Sequence, residues 1–147
     1  MKRSITTLAA CAFLVSSPSS QAFKLITDEE AHLPAASGAL TTRGITRGPG
    51  VKVVSPDLAA GPVKGPFTLK VAFEARGGAK VDPASIKLTY LKATPVDLLD
   101  RIKSGVSEGG IEIAGAEVPP GEHQIQVSLQ DTEGRKTSKI INLNATK

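Results

Sequence analysis

Apolar and polar residues alternate along much of the chain after residue 50. Alternation with a period of two predicts β-strands that bury one face. The runs that show it are 51–53, 67–73, 86–90, 111–113, 124–130 and 137–143. In the last run the adjacent Ile140 and Ile141 leave the buried face undecided. Turns rich in Gly, Pro and Asp separate the runs, so the pattern predicts an all-β fold of about six or seven short strands.

One stretch lacks this alternation and predicts a short helix over residues 95–103. Thr94 is a suitable N-cap, and Pro95 fits the first helical position. Asp97 and Arg101 stand four residues apart and are expected to form an ion pair. The apolar residues at spacing three are Val96, Leu99 and Ile102. We therefore expect an amphipathic helix inserted between two strands.

The segment before the strands, residues 23–50, has no regular period and predicts an irregular leader. Thr27 and Glu30 have the spacing of a capping box, so a short helix begins there and ends near Pro34. The Gly-rich remainder is costly to order. We expect this leader to be separable from the fold, so that a chain beginning near Gly50 still folds.

The first 22 residues predict a secretory signal peptide. A basic pair precedes an apolar stretch, and Ser20 and Ala22 place small residues at the two positions that a signal peptidase inspects. The apolar stretch is too short for a stable membrane anchor. The predicted mature chain starts at Phe23 and is periplasmic or secreted. An alternative is lipidation at Cys11, since residues 8–11 resemble a bacterial lipobox, but the apolar run continues to residue 15.

Removal of this segment changes the charge and the available chemistry. Lys2 and Arg3 leave without any acidic residue, so the net charge falls from +4 to +2 and no strong case for nucleic-acid binding remains. The sole Cys and the sole Met of the sequence leave as well. Disulfides, thiol catalysis and thiolate metal sites are therefore excluded for the predicted mature chain.

The remaining polar residues do not form a recognisable catalytic motif. His32 and His123 are the two histidines, and a metal site would need them to meet with a carboxylate. His123 follows a Pro-Pro-Gly corner, where a structural hydrogen bond is the ordinary role. Serines in the Gly-rich loop near residue 107 lack the context of a nucleophile elbow. The sequence predicts no catalytic residue, cofactor or metal site; a small periplasmic metal-handling protein or hydrolase remains the alternative.

Two basic residues of the leader, Arg43 and Arg47, are the candidate partner-binding residues. They stand in a Gly-rich stretch, where they either recognise a partner or are solvated loop charges. The expected partner is another envelope protein or a surface polymer. Phe67, Phe73 and Tyr90 fall on predicted inward faces, which weakens the case for a stacking platform for carbohydrate.

The segment from residue 120 to 134 resembles the penultimate strand and final hairpin of bacterial exported immunoglobulin-like or fibronectin-type-III-like domains. The residues that carry the resemblance are Gly121, His123, Ile125, Val127, Asp131 and Gly134. It implies a single antiparallel immunoglobulin-like β-sandwich over residues 51–147, with the helix as an insertion. Such a domain is expected to act by binding and not by catalysis. The resemblance does not identify a ligand.

Overall fold

The computed structural model describes residues 22–37 and 47–147, and about half of these residues form β-strands. The predicted signal peptide up to residue 21 lies outside the described residues. Short 3-10 turns occupy Pro83–Ser85 and Lys103–Gly105. The other elements, in chain order, are β1 (Phe23–Lys24), α1 (Asp28–Ala31), β2 (Gly50–Ser55), β3 (Val63–Lys64), β4 (Phe67–Glu74), β5 (Lys87–Tyr90), β6 (Val96–Asp97), α2 (Leu99–Ile102), β7 (Val106–Ser107), β8 (Gly110–Glu117), β9 (Gly121–Gln130) and β10 (Lys136–Thr146).

The strands form two sheets. The first has the order β1-β8-β4-β2, with β7 also paired to β8, and the second has the order β3-β10-β9-β5-β6. Most neighbours are antiparallel, but β1 runs parallel to β8 and β3 runs parallel to β10. The predicted mostly-β fold is confirmed, whereas the purely antiparallel arrangement is wrong and the described residues contain more strands than expected. The added parallel strands have only two residues each, which is too short to show a period.

The buried residues of both sheets belong to one hydrophobic cluster. Ile141 is 2% exposed and Ile140 is not buried, which decides the inward face of β10. Each fully buried aliphatic side chain contributes about 1.5–3 kcal/mol relative to exposure. Two sheets that share one core are compatible with a β-sandwich. The cluster includes Leu69, Val71, Ile111 and Ile113 from the first sheet and Leu88, Tyr90, Ile125, Val127 and Leu129 from the second.

Residues 22–37 of the predicted leader pack into the domain. Strand β1 lengthens the first sheet along β8, and Leu25 and Ile26 are buried in the common core at 0% and 1% exposure. The predicted capping box begins α1: the Thr27 hydroxyl accepts the Glu30 N–H at 3.3 Å, and the Glu30 carboxylate accepts the Thr27 N–H at 3.0 Å. This part of the leader therefore supplies an edge strand and core residues to the fold.

Arg101 fastens this segment to the second half of the chain. Its guanidinium donates to the Leu25 carbonyl at 2.9 Å and to Glu30 Oε2 at 2.8 Å, and it also donates to the second Glu30 oxygen. The hydrogen bond from Arg101 lowers the pKa of Glu30 to about 2. The predicted pair between Asp97 and Arg101 is therefore wrong, because Arg101 turns toward the leader.

The helix predicted over 95–103 is reduced to the four residues of α2. The residues before it form β6, which pairs with β5, and the Leu98 N–H continues this pairing by donating to the Leu88 carbonyl at 2.8 Å. The Asp97 carboxylate accepts the Leu99 N–H at 2.8 Å, so Asp97, and not Thr94, satisfies the start of the helix. Pairing with a neighbouring strand overrides the local helical pattern.

Candidate functional site

The structure places only one of the two predicted partner-binding residues. Arg43 lies outside the described residues, and Arg47 is exposed. Arg47 precedes Gly48, which lies against β10: a Cβ on Gly48 would come within 2.6 Å of Thr137 Oγ1. The chain thus reaches β10 just after Arg47, and the role of both arginines in partner binding stays a prediction.

The two histidines occupy unlike surroundings. His32 is exposed, and its Nδ1 lies 2.5 Å from the Asp28 carbonyl oxygen within the turn that ends α1. His123 is 3% exposed, in the interior at the start of β9. Within residues 22–37 and 47–147, no three His, Cys, Asp or Glu side chains are grouped so that they could hold a metal ion.

His123 joins Tyr90 in a buried hydrogen-bonded chain. His123 Nε2 lies 2.7 Å from the Pro119 carbonyl oxygen, which only accepts, so Nε2 carries the proton. Nδ1 then accepts the Tyr90 hydroxyl at 2.8 Å. Burial, together with the charge of Lys92, lowers the pKa of His123 even though the Pro119 bond acts the other way. The structural role expected for His123 is confirmed, since it holds β5, β9 and the preceding loop together.

Asp131 organises the hairpin between β9 and β10. It is 2% exposed; one carboxylate oxygen accepts the N–H groups of Glu133 and Arg135 at 3.0 and 2.9 Å, and the other accepts Arg135 Nε at 2.7 Å. Burial alone would raise the pKa of Asp131, but the hydrogen bonds from Arg135 and Glu133 outweigh it and lower that pKa. With both oxygens bonded, Asp131 stabilises the turn.

A groove runs between β2, an edge strand of the first sheet, and β10 of the second sheet, and we call it the β2–β10 groove. Its volume is about 340 Å³. Val54 and Leu58 are 49% and 36% exposed, and they are the large hydrophobic side chains that remain exposed in the described part of the chain. Both line this one groove. The residues that line it include Lys52, Val54, Asp57, Leu58, Lys139 and Ile140.

The groove exists because two sheet edges lie side by side without pairing as strands. Among the described residues, β2 pairs only with β4, and β10 pairs with β9 along its length and with β3 only at Ala145 and Thr146. Lys139 bridges the gap by donating from Nζ to the Val51 carbonyl at 3.1 Å. The Lys139 side chain therefore occupies a carbonyl of β2 that could otherwise accept a hydrogen bond from a neighbouring strand.

Two doubled apolar positions are the signal that marks this groove in the sequence. Val53 and Val54 are adjacent in β2, and Ile140 and Ile141 are adjacent in β10. Side chains alternate between faces in a strand, so one member of each pair must point away from the core. Val54 and Ile140 are those members, and both line the groove.

Two further clefts are lined by polar and apolar residues together. One of about 420 Å³ lies between Ala36 and the ends of β9 and β10, and its Lys92 already donates to the Ala31 carbonyl at 2.9 Å. Another of about 400 Å³ lies on β5, β9 and β10, where the hydroxyls of Ser128 and Ser138 are 2.8 Å apart. Neither is lined by Val54 or Leu58, so the β2–β10 groove is the stronger candidate for a binding site.

Among the described residues, no helix has the length and apolar character needed to cross a membrane. Comparison with protein-family models, with curated proteins and with solved structures finds no match for this chain.

Proposed function

We propose that this protein is an exported, non-catalytic module of the cell envelope that binds another protein through the β2–β10 groove. The charge pattern, apolar stretch and small residues of positions 1–22 support export to the periplasm or beyond. The domain that carries the groove is proposed to be an immunoglobulin-like β-sandwich.

The strand order supports this choice of fold. Immunoglobulin domains place strands A, B and E in one sheet and C, F and G in the other. Here β2, β4 and β8 are neighbours in the first sheet, and β5, β9 and β10 are neighbours in the second. In antibody domains a tyrosine near the start of strand F bonds back to the preceding backbone. His123 makes the corresponding bond to Pro119 at the start of β9.

The observation that carries the proposed function is the clustering of Val54 and Leu58 in one groove with Ile140. Scattered exposed apolar residues are ordinary, but a contiguous apolar surface marks an interaction site. A surface polymer is the weaker alternative, since no aromatic side chain in the described part of the chain is exposed for stacking on a sugar. A protein partner is therefore favoured.

Site-specific photo-crosslinking in the exporting cell tests this proposal. A photoreactive residue at Leu58 is expected to give one dominant protein adduct, which Val54→Asp in the same chain abolishes. The matched control carries the photoreactive residue at Lys87, which is exposed on β5 and does not line the groove. No adduct from position 58, or the same adduct from both positions, would contradict the proposal.

A further inference from the structure

We infer that residues 32–36 of the leader form an acid-sensitive strap, which leaves the domain when His123 takes up a proton. This inference does not depend on the β2–β10 groove. It is carried by three observations: the strap is attached at one place, it forms part of the wall of a cleft that reaches His123, and the lysine at its base acts on His123.

The strap is attached to the end of β5 and to the residues just after it. Ala93 donates its N–H to the Pro34 carbonyl at 2.9 Å, and Ala35 forms an isolated bridge with Lys92. At the base of the strap, Lys92 Nζ donates to the Ala31 carbonyl at 2.9 Å. The buried residues of the leader precede the strap in the chain. The strap can therefore be released while β1 and α1 stay docked.

Release of the strap would open a path from His123 to water. A cleft of about 420 Å³ is lined by Ala35 and Ala36 of the strap on one side and by His123 and Lys92 on the other. His123 is only 3% exposed while the strap is docked. A charged imidazolium is costly in such a site and is well solvated in an open cleft. Protonation of His123 therefore favours the conformation in which the strap is released.

The contacts of His123 act in the same direction. Burial and the charge of Glu30 raise the pKa of Tyr90, so its hydroxyl keeps its proton and donates it to His123. An imidazolium donates from both ring nitrogens, so the Tyr90 hydroxyl would lose this acceptor. Lys92 Nζ lies 5.2 Å from the centroid of the Tyr90 ring, and its charge opposes protonation of His123. A shift of Lys92 away from the imidazolium would loosen its bond to the base of the strap.

The acidic residues around His123 do not cancel this repulsion. Glu30 of α1 is bound through both carboxylate oxygens to Arg101 of α2. Glu122 lines the cleft, but it is exposed and precedes His123 in β9, so its side chain points to the opposite face of the sheet. On β10 the residue opposite His123 is the apolar Leu143. Lys92 therefore decides the sign of the electrostatic effect on His123.

Hydrogen exchange at single amides, followed by NMR, tests the inference. The Ala93 N–H reports the strap, and the Leu91 N–H, which donates to the Gln124 carbonyl at 2.8 Å, reports the sheet beside it. We expect a lower protection factor at Ala93 than at Leu91 throughout. Between pH 7 and 5 the Ala93 value should fall about threefold or more in total, and at most about tenfold per pH unit for one proton. Equal protection of the two amides, or Ala93 protection that is constant with pH, would overturn the inference.

Two histidine variants identify the group that takes up the proton. His123→Gln keeps a donor and an acceptor without titrating, so it should make the Ala93 protection constant in this range. His32→Gln removes the exposed histidine of the strap itself and should leave the fall unchanged. A fall that persists in His123→Gln or disappears in His32→Gln would refute the assignment to His123.

A measurement on the unsubstituted chain keeps the inference testable if His123→Gln does not fold. The ring signals of His123 give its pKa in the docked state directly. The fall in Ala93 protection should level off near that pH, because below it the docked state is protonated as well. A fall that continues well below the midpoint of the His123 titration would contradict the inference.

Discussion

The buried polar side chains of the described residues hold the fold together, and the Tyr90–His123 pair shows how. His123 accepts from Tyr90 and donates to Pro119, so both ring nitrogens are bonded only while the ring is neutral with its proton on Nε2. A charged imidazolium would lose the acceptor at Nδ1 and would carry its charge into a site that is 3% exposed. Stability is therefore coupled to the protonation of one residue.

This coupling predicts the pH dependence of unfolding. The pKa of His123 is below its ordinary value of 6.5 in the folded chain, so the unfolded chain binds more protons as the pH falls below about 6.5. The free energy of unfolding should decrease from there down to the folded pKa, with a slope of at most about 1.4 kcal/mol per pH unit. Denaturant titrations at a series of pH values measure this slope.

His123→Gln is the matched variant for that measurement, because a glutamine amide donates and accepts without titrating. It should flatten the stability profile between about pH 5 and 7. A profile identical to that of the unsubstituted chain would show that another group is responsible.

A second prediction at the residue scale concerns the core of β9. Val127 is fully buried, so Val127→Asp places a carboxylate among apolar side chains without a partner. We expect a loss of at least about 3 kcal/mol in the free energy of unfolding, measured by denaturant titration. Gln124→Asp on the exposed face of the same strand is the control, expected within about 0.5 kcal/mol. Equal effects would mean that the facing of β9 is misassigned.

At the scale of elements, the docking of leader residues 22–37 onto the domain is the feature that the sequence pattern does not predict. The capping box at Thr27 is local and could be predicted, as could the strands with long alternation. Leu25 and Ile26 form only a two-residue apolar pair, too short for a period, and their anchor Arg101 lies more than 70 residues away. The contact that orders this segment is therefore long-range, and local patterns do not encode it.

The docked leader predicts that truncation destabilises the domain. Compared with the chain that begins at Phe23, a chain that begins at Gly50 loses β1 and the buried Leu25 and Ile26, so we expect a markedly lower melting temperature or no cooperative transition. Arg101→Gln should destabilise less, since it removes only the guanidinium bonds. Circular dichroism melting curves check both. A truncated chain that melts like the full one would restore the view of a separable leader.

The stability that the Glu30–Arg101 pair contributes also depends on pH. The folded pKa of Glu30 is about 2 against an ordinary value of 4.5. The stability that it contributes is therefore present above about pH 4.5 and is lost as the pH falls from there toward 2. This effect begins at about pH 4.5, whereas that of His123 begins at about pH 6.5, and a comparison with His123→Gln separates the two.

At the scale of the whole molecule, the candidate site lies where the two sheets meet without pairing. The sequence marks this place only by the doubled valines of β2 and the doubled isoleucines of β10, whose significance depends on the two strands lying side by side. Their proximity arises from the crossover of the chain from β2 to β3, which local alternation does not reveal. The groove could therefore be recognised only once the topology was known.

The proposed function requires that the β2–β10 groove binds a protein. Isothermal titration calorimetry of the partner captured from position 58, against the unsubstituted chain and Val54→Asp/Leu58→Asp, tests it most directly. We predict a loss of affinity of about 100-fold or more in the double variant, since it buries two carboxylates without partners in the interface. The melting temperature should not change, and Thr68→Asp on the exposed face of β4 should bind normally. Equal affinity of the double variant and the unsubstituted chain would contradict the claim.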